Sequence, residues 1–265
     1  MKIVGAGDVS VDSICVVQRA REAILASSVC ENEWARKYVE GRPTDTKRYA
    51  FYLDLAKRYV ASGGRICDHA AAPFVFSEAL SLQGYSVVAT DLNPGRFGSL
   101  EGVATSVVRH DVETERMTEA GFDGVFFSEI FEHCRQDLVG TIQLLRDSLS
   151  VGGRLFLSTP NVKSLTGIYN FIFRDTAYGG RGSTLYKEWI KLRTIGHCGH
   201  VREYTAREVA ELLVSCGLVV EDVIYKGGYN RLPARVACGI KSSLRPYFTI
   251  VARRASNESA ESLHG

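Results

Sequence analysis

The chain has 265 residues, of which 45% are hydrophobic and 23% charged, and its formal net charge is +2. That length can bury a sizeable core, and so small a net charge does not demand nucleic acid or an anionic membrane as partner. Seven cysteines in no paired spacing point to a reducing, cytoplasmic setting rather than a disulfide framework, and the sequence shows neither a bilayer-spanning apolar run nor a secretory leader.

In chain order, "MKIVGAG" comes first. Gly5 and Gly7 after a short apolar run look like the start of a dinucleotide-binding loop, which would make the chain an NAD-dependent oxidoreductase. The third glycine is missing, and so is an acid ending a second strand about 20 residues on. Asp12–Tyr38 reads as helical, and Pro43 separates it from the next helix. There, in "KRYAFYLDLAKRYVASGG", Tyr52, Leu53, Ala56, Tyr59 and Val60 share one face until Gly63 and Gly64 end it. Residues 1–62 are therefore expected to form a helical extension.

From Arg65 strands alternate with helices. "RIC" leads into three alanines, Ala70, Ala71 and Ala72, and a helix is expected from Phe76 to Gln83. Strands follow over 85–91, 106–113, 122–130 and 154–161, with an amphipathic helix from Leu138 to Leu149 that Gly152 and Gly153 stop. Thr205 and Glu208 form a capping box that opens a helix running to Cys216. "LVVEDVIY" and "YFTIVARR" close the series. The pattern predicts an α/β fold over 63–255 with a mostly parallel sheet and helices on both faces, followed by a disordered tail over 256–265.

In open α/β sheets, ligands bind beyond the carboxyl ends of the strands. Asp68 stands at the first such end and Asp91, followed by Leu92, at the second. Asp111 and Glu113 stand at the third, Ser128, Glu129, Glu132 and His133 at the fourth, and Thr159, Pro160 and Asn161 at the fifth. A carboxylate at Asp91 can accept both hydroxyls of a ribose. Asp111 can accept from an adenine amino group while the N–H of Val112 meets a ring nitrogen. Asp68 can hold the loop, or the amino group of an amino-acid cofactor. Acids in register after successive β-runs point to a cofactor site, although a single one would serve as well to cap a helix or make a turn.

With "ICDHAAAPF", "VVATDLNP", "RHDVE", "FDGVFFSEIFEH", "LSVGGRLFLSTPN" and "GHVREYTAREVAELLVSCGL", the segment from Arg65 to Arg254 resembles the class I S-adenosylmethionine-dependent methyltransferases, in particular a branch acting on small molecules and saccharides. The resemblance implies a Rossmann-like, seven-stranded sheet and S-adenosylmethionine as methyl donor. It also implies cofactor contacts from Asp68, Ala70, Ala72, Phe74, Asp91, Leu92, Asp111, Val112, Ser128 and Glu129. The family usually carries glycine at Ala70 and Ala72, and often at Phe74. Alanine disfavours φ > 0 but allows ordinary helix-entry geometry, and Pro73 suits a first helical turn. The expectation is a loop that is tightened but still competent; a non-catalytic cofactor-binding module is the rival.

His133 is the first candidate for general base, with Glu132, Glu129, His200 and Tyr204 as others; the pair Glu132-His133 could equally cap the following helix. Glu129, Glu132, His133 and His200 also resemble the divalent-metal set of small-RNA 2′-O-methyltransferases, which would make RNA the acceptor. His197, Cys198 and His200 suggest zinc, without a second pair at finger-like spacing. Acceptor specificity is expected in the N-terminal helices, in a mobile lid over Lys163–Gly199, and in Tyr225–Pro246. From Lys226 to Arg254 the chain carries +7 and no acid, which leaves −5 elsewhere. Such a block fits an anionic substrate or a solvated basic face.

Overall fold

The computed structural model describes residues 2–5, 9–42, 45–97, 100, 102–103, 105–178, 184–194 and 199–255, with the backbone alone for 2–5 and 194. Pro43, Gly7, His197, Cys198 and the 256–265 tail lie outside the described residues.

"KIVG" is a strand, β1 (Lys2–Gly5). Three helices follow. Ser10 caps α1 (Val11–Ala26) by accepting from the Ser13 N–H, and Asn32 caps α2 (Glu33–Gly41) by accepting from the N–H groups of Trp34 and Ala35. In α3 (Asp45–Tyr59) the expected apolar face is the buried one, with Tyr52, Leu53 and Ala56 at or below 1% exposure. Then come β2 (Arg65–Asp68), α4 (Val75–Leu82), β3 (Ser86–Asp91), β4 (Ser106–Arg109) and β5 (Phe122–Ser128). They are followed by α5 (Leu138–Ser148), β6 (Leu149–Pro160), α6 (Leu165–Arg174), α7 (Leu185–Thr194) and α8 (Ala206–Ser215). β7 (Leu218–Lys226), α9 (Leu232–Ile240) and β8 (Tyr247–Arg254) complete the order.

The sheet runs β1-β7-β8-β6-β5-β2-β3-β4. β2, β3, β4 and β5 pair in parallel, with Asp68 opposite both Ala89 and Phe126 and Asp91 opposite Arg109. β7 and β8 pair antiparallel. The seven strands expected are therefore joined by an eighth. β1 lies parallel to β7 at the outer edge, Lys2 opposite Asp222, so the "MKIVGAG" run is an edge strand of this sheet.

Several boundaries differ from expectation: the one helix expected over Asp12–Tyr38 is two, α1 and α2, with a 3₁₀ turn at Ser28–Glu31 between them, and the strand expected to 130 ends at Ser128. Leu149 begins β6 as soon as α5 ends, and Gly152, at φ +82°, sits inside that strand instead of stopping the helix. The strand at 106–113 ends at Arg109, where Asp111 turns the chain by accepting from the Glu113 N–H.

The chain divides into two compact units, one of residues 7–126 and 147–154, the other of 1–6, 127–146 and 155–265. The first unit packs α1 on α3 and α4. Its aromatic core sets Phe76 edge-on to Phe126 at 4.9 Å and Tyr52 edge-on to Phe76 at 5.6 Å, geometry that adds roughly 0.5–1.5 kcal/mol per pair beyond area burial. In the second unit α8 carries the complete capping box, the Thr205 hydroxyl accepting from the Glu208 N–H while Glu208 accepts from the Thr205 N–H.

Candidate active site

In the first unit the alanine loop leaves β2 with its backbone in the left-handed region. Ala70 has φ +49° and Phe74 φ +68°, two of the positions where glycine was expected, so the loop keeps the glycine-type path without the glycine. Helix-entry geometry does not occur here: α4 starts at Val75, and Pro73 precedes it instead of occupying its first turn. The path is held by the Ala71 N–H donating to Thr90 O at 2.9 Å and the Phe74 N–H to Ala71 O at 2.7 Å. Phe74 is fully buried, edge-on to Phe97 at 5.6 Å. Non-glycine residues in this region cost on the order of 1–3 kcal/mol each and persist where the surroundings over-determine them.

Asp68 is buried at the end of β2, and its Oδ2 accepts from the Ser77 hydroxyl at 2.6 Å. Burial pushes its carboxyl up to about 7, against the pull of the Ser77 hydrogen bond. His69 beside it is held neutral, down to about 3, by burial and then by the charge of His110. Asp91 ends β3 at 7% exposure, Oδ1 accepting from the Asn93 N–H and Oδ2 lying 3.5 Å from Arg96 Nη2. Leu92 is 37% exposed. Ala72, Asp111 and Val112 are half-buried.

The second unit gathers three of the candidate side chains. Glu132 and His133 lie in a 3₁₀ turn, Phe131–His133, just beyond β5. His133 Nδ1 is 2.9 Å from the Gly199 carbonyl and His200 Nδ1 is 3.0 Å from Glu203 Oε1. A carbonyl only accepts, so His133 carries its proton on Nδ1 and its Nε2 lone pair is free in the neutral ring. The two rings stand edge to face with centroids 4.9 Å apart. Their Nε2 atoms lie 3.9 Å and 4.0 Å from the same oxygen, Glu132 Oε1. The other oxygen, Oε2, accepts from the Thr159 hydroxyl at 2.7 Å, and the Glu132 carbonyl accepts from the Val201 N–H. The pair therefore does not cap α5; it is tied to the 199–201 segment.

Environment separates the three groups. Burial, and then the charge of Glu129, pushes the Glu132 carboxyl well up. Burial holds His133 below the usual histidine value. Burial also opposes charge on His200, but the hydrogen bond to Glu203, with the charges of Glu132 and Glu188, outweighs it and raises that ring. Such an arrangement can accept a proton, hold one, or ligate a divalent cation through Glu132, His133 and His200.

Glu129 stands apart from that set. At φ +59° it has left the strand, and its Oε1 accepts from the Ser158 hydroxyl at 3.0 Å and lies 3.5 Å from Lys226 Nζ. The four-residue metal set thus reduces to three. Tyr204 is largely buried against Phe131 at 4.7 Å, and burial raises its phenol further.

Three contributors were not anticipated. Glu203 sits three residues after His200 in "HVREY", a spacing that could have suggested it. Glu188 accepts the His200 N–H at 3.0 Å from α7, with no sequence signal. Gly199 approaches so closely that a Cβ would stand 2.2 Å from the Glu188 carbonyl oxygen, so only glycine fits where His133 finds its acceptor.

The fit of a nucleoside-bearing cofactor can be tested on orphaned atoms. His110 Nδ1, beside Asp111, and Ser128 Oγ, at the end of β5, are buried without a protein partner. Buried polar atoms rarely go unpaired, so His110 Nδ1 in the first unit and Ser128 Oγ in the second are each suited to a polar ligand group.

The family described as "Methyltransferase domain" matches residues 44–223, more than half of the chain. A ubiquinone biosynthesis O-methyltransferase of Xylella fastidiosa (strain 9a5c) is 33% identical over 114 residues, which is 40% of this chain and 46% of that protein. This chain thus matches less than half the length of that curated relative. Among solved structures, a SAM-dependent methyltransferase from Archaeoglobus fulgidus superposes with a TM-score of 0.55 at 16% identity, covering 82% of this chain and 99% of that one. The Burkholderia thailandensis 1,6-didemethyltoxoflavin-N1-methyltransferase, solved with 1,6-didemethyltoxoflavin and S-adenosylhomocysteine, gives 0.53 at 19% identity, covering 86% and 88%. Those two likenesses speak for the fold. The chain belongs to the methyltransferase-domain family.

Proposed function

We propose that the chain transfers a methyl group to a hydroxyl oxygen of a saccharide or other small polar molecule, with His133 as proton acceptor. The observation that carries this reading is the His133 ring, whose Nδ1–H is fixed on Gly199 O at 2.9 Å while its Nε2 keeps a free lone pair. The bound cofactor supplies an electrophilic sulfonium methyl, so the protein's task is to bind, orient and manage one proton. Asp91 takes the ribose hydroxyls, Asp111 and the Val112 N–H take the adenine edge, and Asp68 takes the amino group. Ala70, Ala72 and Phe74 form the wall of the methionine end, and Leu92, Ser128 and Glu129 complete the cofactor contacts. The acceptor hydroxyl gives its proton to His133 Nε2 as its oxygen is methylated, and Glu132 and His200 position that ring. The partial likeness to a protein named as an O-methyltransferase supports oxygen as the acceptor atom. In a labelled-methyl transfer assay over nucleotide sugars, glycans and phenols, His133→Ala should lose about 10²–10⁴-fold in rate while calorimetric cofactor affinity stays unchanged. Equal turnover in the variant would remove His133 from this role.

A second reading rests on the two Nε2 atoms within 4.0 Å of one carboxylate oxygen. Each ring's Nδ1 is occupied by a carbonyl or a carboxylate, as metal-ligating histidines usually are. In this reading Glu132, His133 and His200 would hold a divalent cation, which would supply Lewis acidity toward the acceptor. Extensive dialysis against a chelator, followed by elemental analysis, decides: transfer that survives leaves the proton acceptor, and transfer lost and restored by one cation selects the metal.

A further inference from the structure

The large exposed apolar side chains concentrate in the second unit, on the segments inserted after β6 and β7. In α9, Leu232, Val236 and Ile240 recur at every fourth residue and are 69%, 54% and 84% exposed, which makes an unbroken apolar stripe along one face. Arg231 and Arg235, also four apart, run alongside it. The last turn of α6 shows Phe171, Ile172 and Phe173 at 68%, 60% and 71% exposure, with the exposed Arg174 after them. A groove of about 530 Å³, lined by Tyr169, Arg174, Tyr229 and Arg231 among others, separates α6 from α9. On the far side of Tyr229 a second groove of about 490 Å³ is lined by Leu232, Arg235, Val236 and Arg245. Arg245 donates from Nη1 to the Gly227 carbonyl at 2.7 Å, while its Nε is buried without a protein acceptor.

A soluble face has no use for apolar side chains this exposed, and monomers seldom carry them contiguously. The charge beside them is one-signed, since residues 226–254 contain seven basic residues and no acid. Among the described residues no carboxylate pairs with Arg231 or Arg235. An apolar stripe flanked by arginines, on a short helix with proline in its first turn, is the pattern of a helix lying in a bilayer interface. There the apolar row enters the acyl boundary and the guanidinium groups remain at headgroup level, paired with phosphate. No described helix is long and apolar enough to cross a membrane, which limits such an encounter to the surface.

We propose that α9 and the last turn of α6 dock this chain on a membrane surface rich in anionic phospholipid. The overall charge of +2 hides the feature because the acids lie elsewhere in the chain. The full chain should sediment with phosphatidylcholine vesicles that contain phosphatidylglycerol, and not with phosphatidylcholine alone, and added salt should release it. Replacing Arg231 or Arg235 by Gln should weaken binding about fivefold each and about thirtyfold together. Phe171→Ser and Ile240→Ser should weaken it without changing the melting temperature or the affinity for S-adenosylmethionine, because all four side chains are exposed. Light scattering on the same samples reports the oligomeric state. Absence of vesicle binding, or binding indifferent to these substitutions, overturns the proposal. So does a solution dimer that Phe171→Ser or Ile240→Ser dissociates, which would make the face a self-contact. Displacement by inorganic phosphate with no effect of the apolar substitutions would likewise overturn it, leaving only an anion site in the grooves.

Discussion

The turn after β2 and the turn after β5 both force non-glycine residues into left-handed backbone, and they hold them there by opposite means. After β2, Ala70 and Phe74 are kept at φ +49° and +68° by backbone hydrogen bonds and by burial of the Phe74 ring. From Ala70 to Phe74 no side chain has a polar atom. After β5, Glu129 at φ +59° is pinned by Ser158 and Lys226, and the next turn carries Glu132 and His133 among charged partners. The first is an apolar turn whose shape does not depend on protonation. The second is a cluster of titratable groups whose charge does. Substitutions in the two turns should therefore fail in different assays.

The largest effect should come from the second turn and the 199–201 segment bonded to it. His200→Ala removes the ring that Glu203 holds, and on the proposed reading it should slow methyl transfer by about 10²-fold or more while cofactor affinity is retained. Gly199→Ala tests the same turn through the backbone, because a Cβ 2.2 Å from the Glu188 carbonyl oxygen must displace the acceptor of His133. Single-turnover rates at saturating cofactor distinguish these variants from any with weakened binding.

The next effects belong to the first unit and should appear in binding. Hydrogen bonds to a charged group contribute about 1.5–3 kcal/mol each, so Asp91→Ala should weaken cofactor affinity by about a hundredfold or more. Asp68 adds a pH dependence. Its native carboxyl is raised from 3.8 to about 7 by burial, so the free protein holds a proton there that the unfolded chain releases. Between those values the native state binds more protons, and stability therefore falls as pH rises from about 4 to about 7. A cofactor ammonium needs the carboxylate, so affinity should tighten by up to about tenfold per pH unit towards 7 and then level off. Asp68→Asn should flatten both profiles. A cofactor affinity independent of pH from 5 to 8 in the unsubstituted protein, measured by calorimetry, would place the ammonium elsewhere.

How far such features can be read in advance depends on whether their cause is local. Strand-end acids were legible because alternating β and α segments dictate where a strand stops, and the Thr205–Glu208 box was legible because its two hydrogen bonds span three residues. The left-handed Ala70 and Phe74 were not, since alanine and phenylalanine have no preference for that geometry and adopt it under tertiary constraint. The start of β6, expected at Arg154, was misplaced because Leu149 passes straight from helix to strand, with Gly152 supplying a positive φ within the strand. Glu188 could not be anticipated, because only the fold brings α7 to the backbone of His200. Of the four proposed metal ligands, three meet; Glu129 is taken by Ser158 and by Lys226, 97 residues away in sequence.

The smallest effect isolates the strain itself. Ala70→Gly deletes one methyl from a residue that is itself exposed, so little packing is lost. An L-residue in the left-handed region costs about 1–2 kcal/mol relative to its usual conformations. Glycine removes that cost but adds backbone entropy to the unfolded chain, a loss of about 0.5–1 kcal/mol. The net gain should therefore be at most about 1.5 kcal/mol, read as a rise of a few degrees in melting temperature for a chain of this size. Phe74→Gly should go the other way, because burial of that ring outweighs the same relief of φ. If the wall is rigid, Ala70→Gly should stabilise the fold and leave the cofactor affinity as it was. Tighter binding in the glycine variant would show instead that the alanine methyl presses on the ligand, and the turn after β2 would then set affinity as well as shape.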